Sequence, residues 1–341
     1  MRITVVGAGA MGSLMAARLT QAMSSSSGDT PSPIERVLLY GRPSAHLDAI
    51  RTNGLRLTEM DGRKVSVPVA ASSDPADVKG SDLVVVLVKA WASGEAVAPL
   101  APYLTRDAVV LTLQNGLGNA SALRTALLHD GVRPHVWLGV TTQAAIRTAP
   151  GAITHTGDGL TAIGRRTPEV NAQLRDLATQ LTGAGWQTVA VEDIHRWVWR
   201  KLAINAAINP LTALAGVPNE VISTDAGLRH AATMIANEVV EVAKARNVTL
   251  NPQQIVAAVD EVARATGANR SSMLVDIESG SRTEIDAING EVVRQARRHG
   301  IRVPINELMT ILIRAREHAL HADGVVADEA PEQHEHVTSD V

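Results

Sequence analysis

Arg2-Ile3-Thr4-Val5-Val6-Gly7-Ala8-Gly9-Ala10-Met11-Gly12 stands at the start of the chain, and an Ala- and Leu-rich run follows to about Met23. The first residues are apolar and β-rich, the glycines punctuate, and the run after them has helical spacing. That is strand, tight turn, helix. In such a G-x-G-x-x-G turn, Gly7 allows the turn and Gly9 lets a pyrophosphate approach the backbone. Gly12 lets helix and strand pack closely. The helix N-terminus offers free N–H groups and a positive dipole end to the phosphates. Coming directly after a first strand, the fingerprint predicts a dinucleotide-binding domain of Rossmann type.

Residues 24–33 are rich in Ser and Pro and read as a flexible loop. Residues 36–40 read as the second strand. An NAD site usually carries an acid at the end of that strand to hold the ribose diol. Here Gly41 and Arg42 stand there. An arginine suits a ribose 2′-phosphate, because its fork makes charge-assisted bonds, so the expected cofactor is NADP. Residues 83–88 are wholly apolar and read as a buried parallel strand, with Lys89 just past its end. Residues 109–113 repeat the pattern, ending in Gln114-Asn115-Gly116. Lys89 and Asn115 therefore share the carboxyl edge where such sheets bind ligands, with Asn115 near the nicotinamide. Segments 136–145, 152–156 and 160–164 read as antiparallel extensions of the sheet. A helix over 168–182 and a strand over 187–191 complete an α/β domain of residues 1–192.

Beyond residue 193 strand signals vanish. Helical patterns occupy about 194–215, 225–246, 252–266, 271–279, 285–298 and 305–320, an all-α domain of residues 193–322. Its first helix holds W199-R-K-L-A-I-N-A-A-I-N-P-L-T-A213. Lys201, Asn205 and Asn209 lie four apart and form one polar stripe. Leu202, Ala203, Ile204, Ala206, Ala207 and Ile208 around them are too apolar for a solvated face. A buried lysine flanked by two amides is costly unless something binds there. Pro210 removes a donor, should kink the helix and frees the carbonyl of Ala206, a further opening for a substrate. With the glycine fingerprint, the stripe suggests a dehydrogenase whose proton donor is Lys201. Asn269-Arg270-Ser271-Ser272 is a donor-rich helix start, read either as a cap or as a carboxylate-binding end. Thr283 and Asp286 fit a capping box, which leaves Glu284 in the first turn, free to face Lys201. Residues 323–341 are acidic and read as a disordered tail with His334 and His336 in it.

A hydrophobic fraction of 45% and a charged fraction of 20% suit a soluble globular protein. The net charge of -3 gives no reason to expect a nucleic acid or an anionic membrane as partner. Having no cysteine, the chain has neither disulfides nor thiolate metal sites, and no metal is expected. With no Phe and five Trp, the core must come mainly from Ala, Val, Leu and Ile. The N-terminus has the outline of a signal peptide, but the glycine spacing and Arg18 argue for a cytoplasmic protein without a targeting segment. A homodimer is left open.

The chain resembles the ketopantoate reductase family, also called 2-dehydropantoate 2-reductases, NADPH enzymes of pantothenate biosynthesis. The resemblance runs from Gly7 to about Asn306. Its most specific parts are the 199–213 stretch, S271-S-M-L-V-D-I277 and T283-E-I-D-A-I-N-G-E-V-V293. It implies a Rossmann domain, a helical domain and an active site in the cleft between them. It implies that Lys201 is the general acid and that Glu284 holds the substrate hydroxyl and helps set the geometry of the lysine. It implies substrate contacts from Asn115, Asn205, Asn209 and Ser272, with Asn269 and Asn219 also lining the cleft. Gly7, Ala8, Gly9, Ala10, Met11, Gly12, Arg42, Lys89 and Asn115 would hold the dinucleotide, Lys89 near the adenosine phosphate. Ala92 departs from the family, which often has a polar residue there, and the 24–33 loop is also outside the usual pattern. Two other readings are a reductase of a different 2-oxo acid and a non-catalytic NADP-binding regulator. The presence of both Lys201 and Glu284 argues against the second.

Overall fold

The computed structural model describes residues 1–25, 32–167 and 169–322. The expected 24–33 loop lies mostly, and the 323–341 tail with His334 and His336 wholly, outside the described residues.

Strand β1 (Arg2–Val6) turns at the glycines into α1 (Ala10–Ser24), and β2 (Arg36–Tyr40) leads into α2 (Ala45–Asn53). A hairpin of β3 (Leu55–Thr58) and β4 (Lys64–Val67) comes next, then the short β5 (Ala71–Ser72). Alternation resumes with β6 (Leu83–Val86), α3 (Ser93–Val97), β7 (Val109–Thr112) and α4 (Asn119–Ala126). Four strands follow: β8 (His135–Thr141), β9 (Ala144–Ala149), β10 (Ala152–Gly157) and β11 (Thr161–Gly164). Helix α5 (Ala172–Gly183) and β12 (Thr188–Ala190) close the α/β part.

The main sheet has the order β12-β11-β8-β7-β6-β1-β2-β5. Its pairs are parallel except β8 with β11. Every residue of β6 and β7 is buried, as covering on both faces requires. The order reverses at β1, between β2 and β6. Sheets of this kind open a crevice at such a reversal, above the carboxyl ends of the strands. Gly7, Arg42, Lys89 and Asn115 all emerge on that edge.

The 136–164 region departs from expectation. β8 joins β7 in parallel, and only β11 adds an antiparallel strand. β9 and β10 leave for a second sheet, β4-β3-β10-β9. The cause is packing: α1 lies against β3, β9 and β10, and Leu55 and Leu57 of β3 and Ile153 of β10 are buried in the same core as the helix.

From Ile194 onward the described residues are helical or irregular: α6 (Ile194–Ala215), α7 (Val221–Thr224), α8 (Ala226–Ala245), α9 (Pro252–Ala265), α10 (Ser272–Glu278), α11 (Asn289–Arg298) and α12 (Pro304–Ala322). α6 is apolar on most sides and is the centre of this part, packed by α8, α9, α10 and α12. It continues through Pro210. The Ala206 carbonyl, which proline cannot serve, accepts from Asn289 Nδ2 at 3.1 Å. That carbonyl is closed by protein, not offered to a substrate.

α11 starts at Asn289, four residues later than expected. The capping box does not form. Thr283 Oγ1 accepts from the Ile285 N–H instead, and Asp286 pairs with Arg282 and Arg314. The freed segment is a turn that carries Glu284. No helix among the described residues is long and apolar enough to cross a membrane.

Candidate active site

The glycine loop is built as the fingerprint requires. Gly7 has φ +116°, donates its N–H to the Tyr40 carbonyl at 2.8 Å, and packs where a Cβ would meet Val88 N at 2.8 Å. A Cβ on Gly12 would come within 1.9 Å of the Gly7 carbonyl oxygen. Gly9 is different: nothing stands within 4 Å of where its side chain would project. That face is open to a pyrophosphate at the start of α1, and the loop fits a dinucleotide. Gly41 packs against Ala8, which sets Arg42 beside the loop. The Arg42 guanidinium is exposed, with Glu95 of α3 at 3.8 Å.

Lys201 lies one and two helical turns before Asn205 and Asn209 on α6. Its Nζ donates to Asn115 Oδ1 at 2.8 Å and to the Thr141 carbonyl at 2.7 Å. Burial lowers its pKa from the usual 10.5 to about 8, against the opposing pull of the Glu284 charge. Lys201 and Glu284 make no direct contact. Asn115 Nδ2 donates to Glu284 Oε2 at 3.1 Å, and the Ala90 N–H donates to Oε1 at 2.9 Å. Asn115 is thus the bridge between acid and base, in addition to any ligand contact it makes. Its loop is clamped onto the Glu284 turn. The Leu117 N–H donates to the Ala287 carbonyl at 2.9 Å, and a Cβ on Gly116 would meet that oxygen at 2.2 Å.

Lys89 faces two carboxylates of the helical half of the chain. Its Nζ crosses to Asp276 Oδ2 at 2.6 Å, with Glu284 Oε2 at 3.9 Å. Burial pushes Asp276 up to about 6, while Lys89 pulls the other way. Asp276 joins this cluster of charges, and sequence reasoning missed it. Its signal was its position, one turn after Ser272 in the quoted 271–277 motif. Trp91, two residues after Lys89, sits under the Arg282 guanidinium at 5.4 Å from the ring centre.

Among the described residues, the side-chain amides of Asn205 and Asn209 have no protein partner, and their polar atoms are not sealed. Ser272 is exposed at the first turn of α10, on the face that carries Asp276. Its neighbour Ser271 is the cap: Oγ accepts from the Leu274 N–H at 3.1 Å and from Thr212 Oγ1 at 2.7 Å. Asn269 is exposed. Asn219 is committed elsewhere. Its Nδ2 donates to Thr266 Oγ1 at 2.9 Å and its Oδ1 is covered, so it braces its loop rather than facing a ligand.

The family model for ketopantoate reductase PanE/ApbA matches residues 3–168, and that for the ketopantoate reductase PanE/ApbA C terminal matches residues 193–317. A 2-dehydropantoate 2-reductase of Halobacterium salinarum is 36% identical over 92% of this chain and 98% of its own. One from Vibrio cholerae is 32% identical over 93% and 98%. The crystal structure of a PanE/ApbA family ketopantoate reductase from Ralstonia eutropha superposes with a TM-score of 0.82 at 31% identity. It covers 94% of this chain and 100% of that one.

Proposed function

The chain belongs to the ketopantoate reductase family, and on that premise we propose that it reduces 2-dehydropantoate (ketopantoate) to D-pantoate with NADPH, in pantothenate and coenzyme A biosynthesis. The observation that carries this reading is Lys201. An ammonium has three donors. Two are taken by Asn115 and Thr141, both fixed by the protein. The third is left for the C2 carbonyl oxygen of the substrate.

When bound, the dinucleotide supplies a hydride, and the remaining work falls on the side chains. Negative charge grows on the carbonyl oxygen, and the Lys201 ammonium stabilises it and gives up a proton to it. With a pKa near 8, it is charged at neutral pH yet releases that proton at less cost than an ordinary lysine. Glu284, held by the Ala90 N–H and the Asn115 amide, accepts from the substrate hydroxyl. Asn205 and Asn209 orient the hydroxyl and the carboxylate without altering the charge balance. Ser272 anchors the carboxylate at the start of α10. Arg42 takes the ribose 2′-phosphate. The reading includes a cytoplasmic setting and no nucleic-acid partner.

Turnover with a panel of 2-oxo acids tests it, followed by loss of NADPH absorbance and of NADH absorbance. Ketopantoate with NADPH should have the highest kcat/KM. A higher value for a different 2-oxo acid would transfer the enzyme to that substrate, and no oxidation with any of them would leave a binding protein. Arg42→Ala should weaken NADPH and spare NADH.

A further inference from the structure

The end of β2 carries no acid, yet an acid reaches the same place from the opposite wall. Glu95 belongs to α3, one turn after Ala92. Its Oε1 stands 3.8 Å from Arg42 Nη1, with 74% of the arginine and 70% of the glutamate side chain exposed. An exposed pair at this distance adds little to folding. Its effect falls on whatever shares the gap. The gap lies beside the glycine loop, because Gly41 packs on Ala8 and Gly7 packs on Val88, just before Lys89. Lys89, the cation of the opposite wall, is engaged by Asp276 at 2.6 Å and does not offset the carboxylate. Ala92 brings no polar group between them.

We infer that Glu95 is a cofactor-discriminating residue: its carboxylate competes with the ribose 2′-phosphate for Arg42 and so restrains the preference for the phosphorylated dinucleotide. The inference rests on the reading of Arg42 given above. A phosphate seated on Arg42 comes within reach of the Glu95 charge, and like charges at such range in water cost about threefold to tenfold in affinity. An unphosphorylated ribose brings no such charge.

The test is the Kd of NADPH and of NADH for the whole chain, Glu95→Gln and Arg42→Ala, by titration calorimetry at low and raised salt. Glu95→Gln should tighten NADPH about threefold to tenfold at low salt and leave NADH within about twofold, the gain shrinking as salt screens the charges. NADPH affinity unchanged in Glu95→Gln, or both cofactors tightened alike, overturns the inference. Arg42→Ala separates the two claims. If it weakens NADPH selectively while Glu95→Gln does nothing, only the role of Glu95 falls. If it weakens both cofactors equally, the 2′-phosphate assignment falls and this inference with it.

Discussion

Lys201 reaches Glu284 through a single amide: Nζ donates to Asn115 Oδ1 at 2.8 Å, and Asn115 Nδ2 donates to Glu284 Oε2 at 3.1 Å. The amide accepts from the ammonium through its oxygen and donates to the carboxylate through its nitrogen. The acid and the base are thereby held in one geometry while belonging to different elements, α6 and the turn before α11.

Asn115→Asp breaks this relay while keeping its shape. The new carboxylate would favour the charged lysine and repel Glu284. We expect kcat to fall about tenfold or more, and the alkaline limb of the pH profile to move upward. A profile identical to that of the unaltered chain would show that Asn115 does not set the state of Lys201.

The alkaline limb itself follows from the Lys201 value of about 8. Reduction needs the ammonium, which is present below that pH and lost above it. Thus kcat/KM for reduction should be level below about pH 8 and fall about tenfold per unit above it. Oxidation of D-pantoate needs the neutral amine and should rise over the same range. Rates in both directions across pH check the sign, and a level forward profile well above pH 8 would contradict it.

Asp276 gives a second pH signature. Its carboxylate, raised to about 6 chiefly by burial, faces Lys89, Glu284 and Glu317. As pH falls through that value it gains a proton, and its bond to Lys89 weakens. The neighbouring Ala90 N–H, which Glu284 holds, should then lose protection, its deuterium exchange moving closer to the intrinsic rate at that pH. Asp276→Asn should exchange fast at every pH. Protection that is unchanged by pH and by the substitution would leave Lys89–Asp276 without a role in docking the 89–92 segment.

Two glycines of one motif should fail differently. A Cβ at Gly12 strikes backbone, so Gly12→Ala should lose about 2 kcal/mol or more of stability. Gly9 has open space and an ordinary φ of -85°, so Gly9→Ala should keep its stability within about 1 kcal/mol yet bind dinucleotide about tenfold or more weaker. Thermal unfolding and cofactor titration separate them, and equal behaviour would refute the assigned division of labour.

Strands β1, β2, β6 and β7 and the polar stripe of α6 were legible because each rests on local pattern: short apolar runs, and a lysine four residues from an asparagine. The second sheet was less so. Its β3–β4 hairpin did carry a signal in Asp61-Gly62, a turn pair between alternating residues, with Gly62 at φ +83°. What joins that hairpin to β9 and β10 is their common packing on α1, and no local pattern records it. The Thr283–Asp286 box was misleading for the opposite reason. The local motif is sound, but Arg314 on α12, distant in sequence, takes Asp286. Asn289 is similar: its service to the Ala206 carbonyl depends on two helices meeting. The bridging role of Asn115 was hidden too, because it needs both halves of the chain at once.

The role of Lys201 is decided by single-turnover reduction of ketopantoate by Lys201→Ala, with NADPH affinity measured on the same sample. Chemistry should slow by about 10²-fold or more while NADPH binds as before. Near-normal turnover in that variant would contradict that role, since the proton would then come from elsewhere.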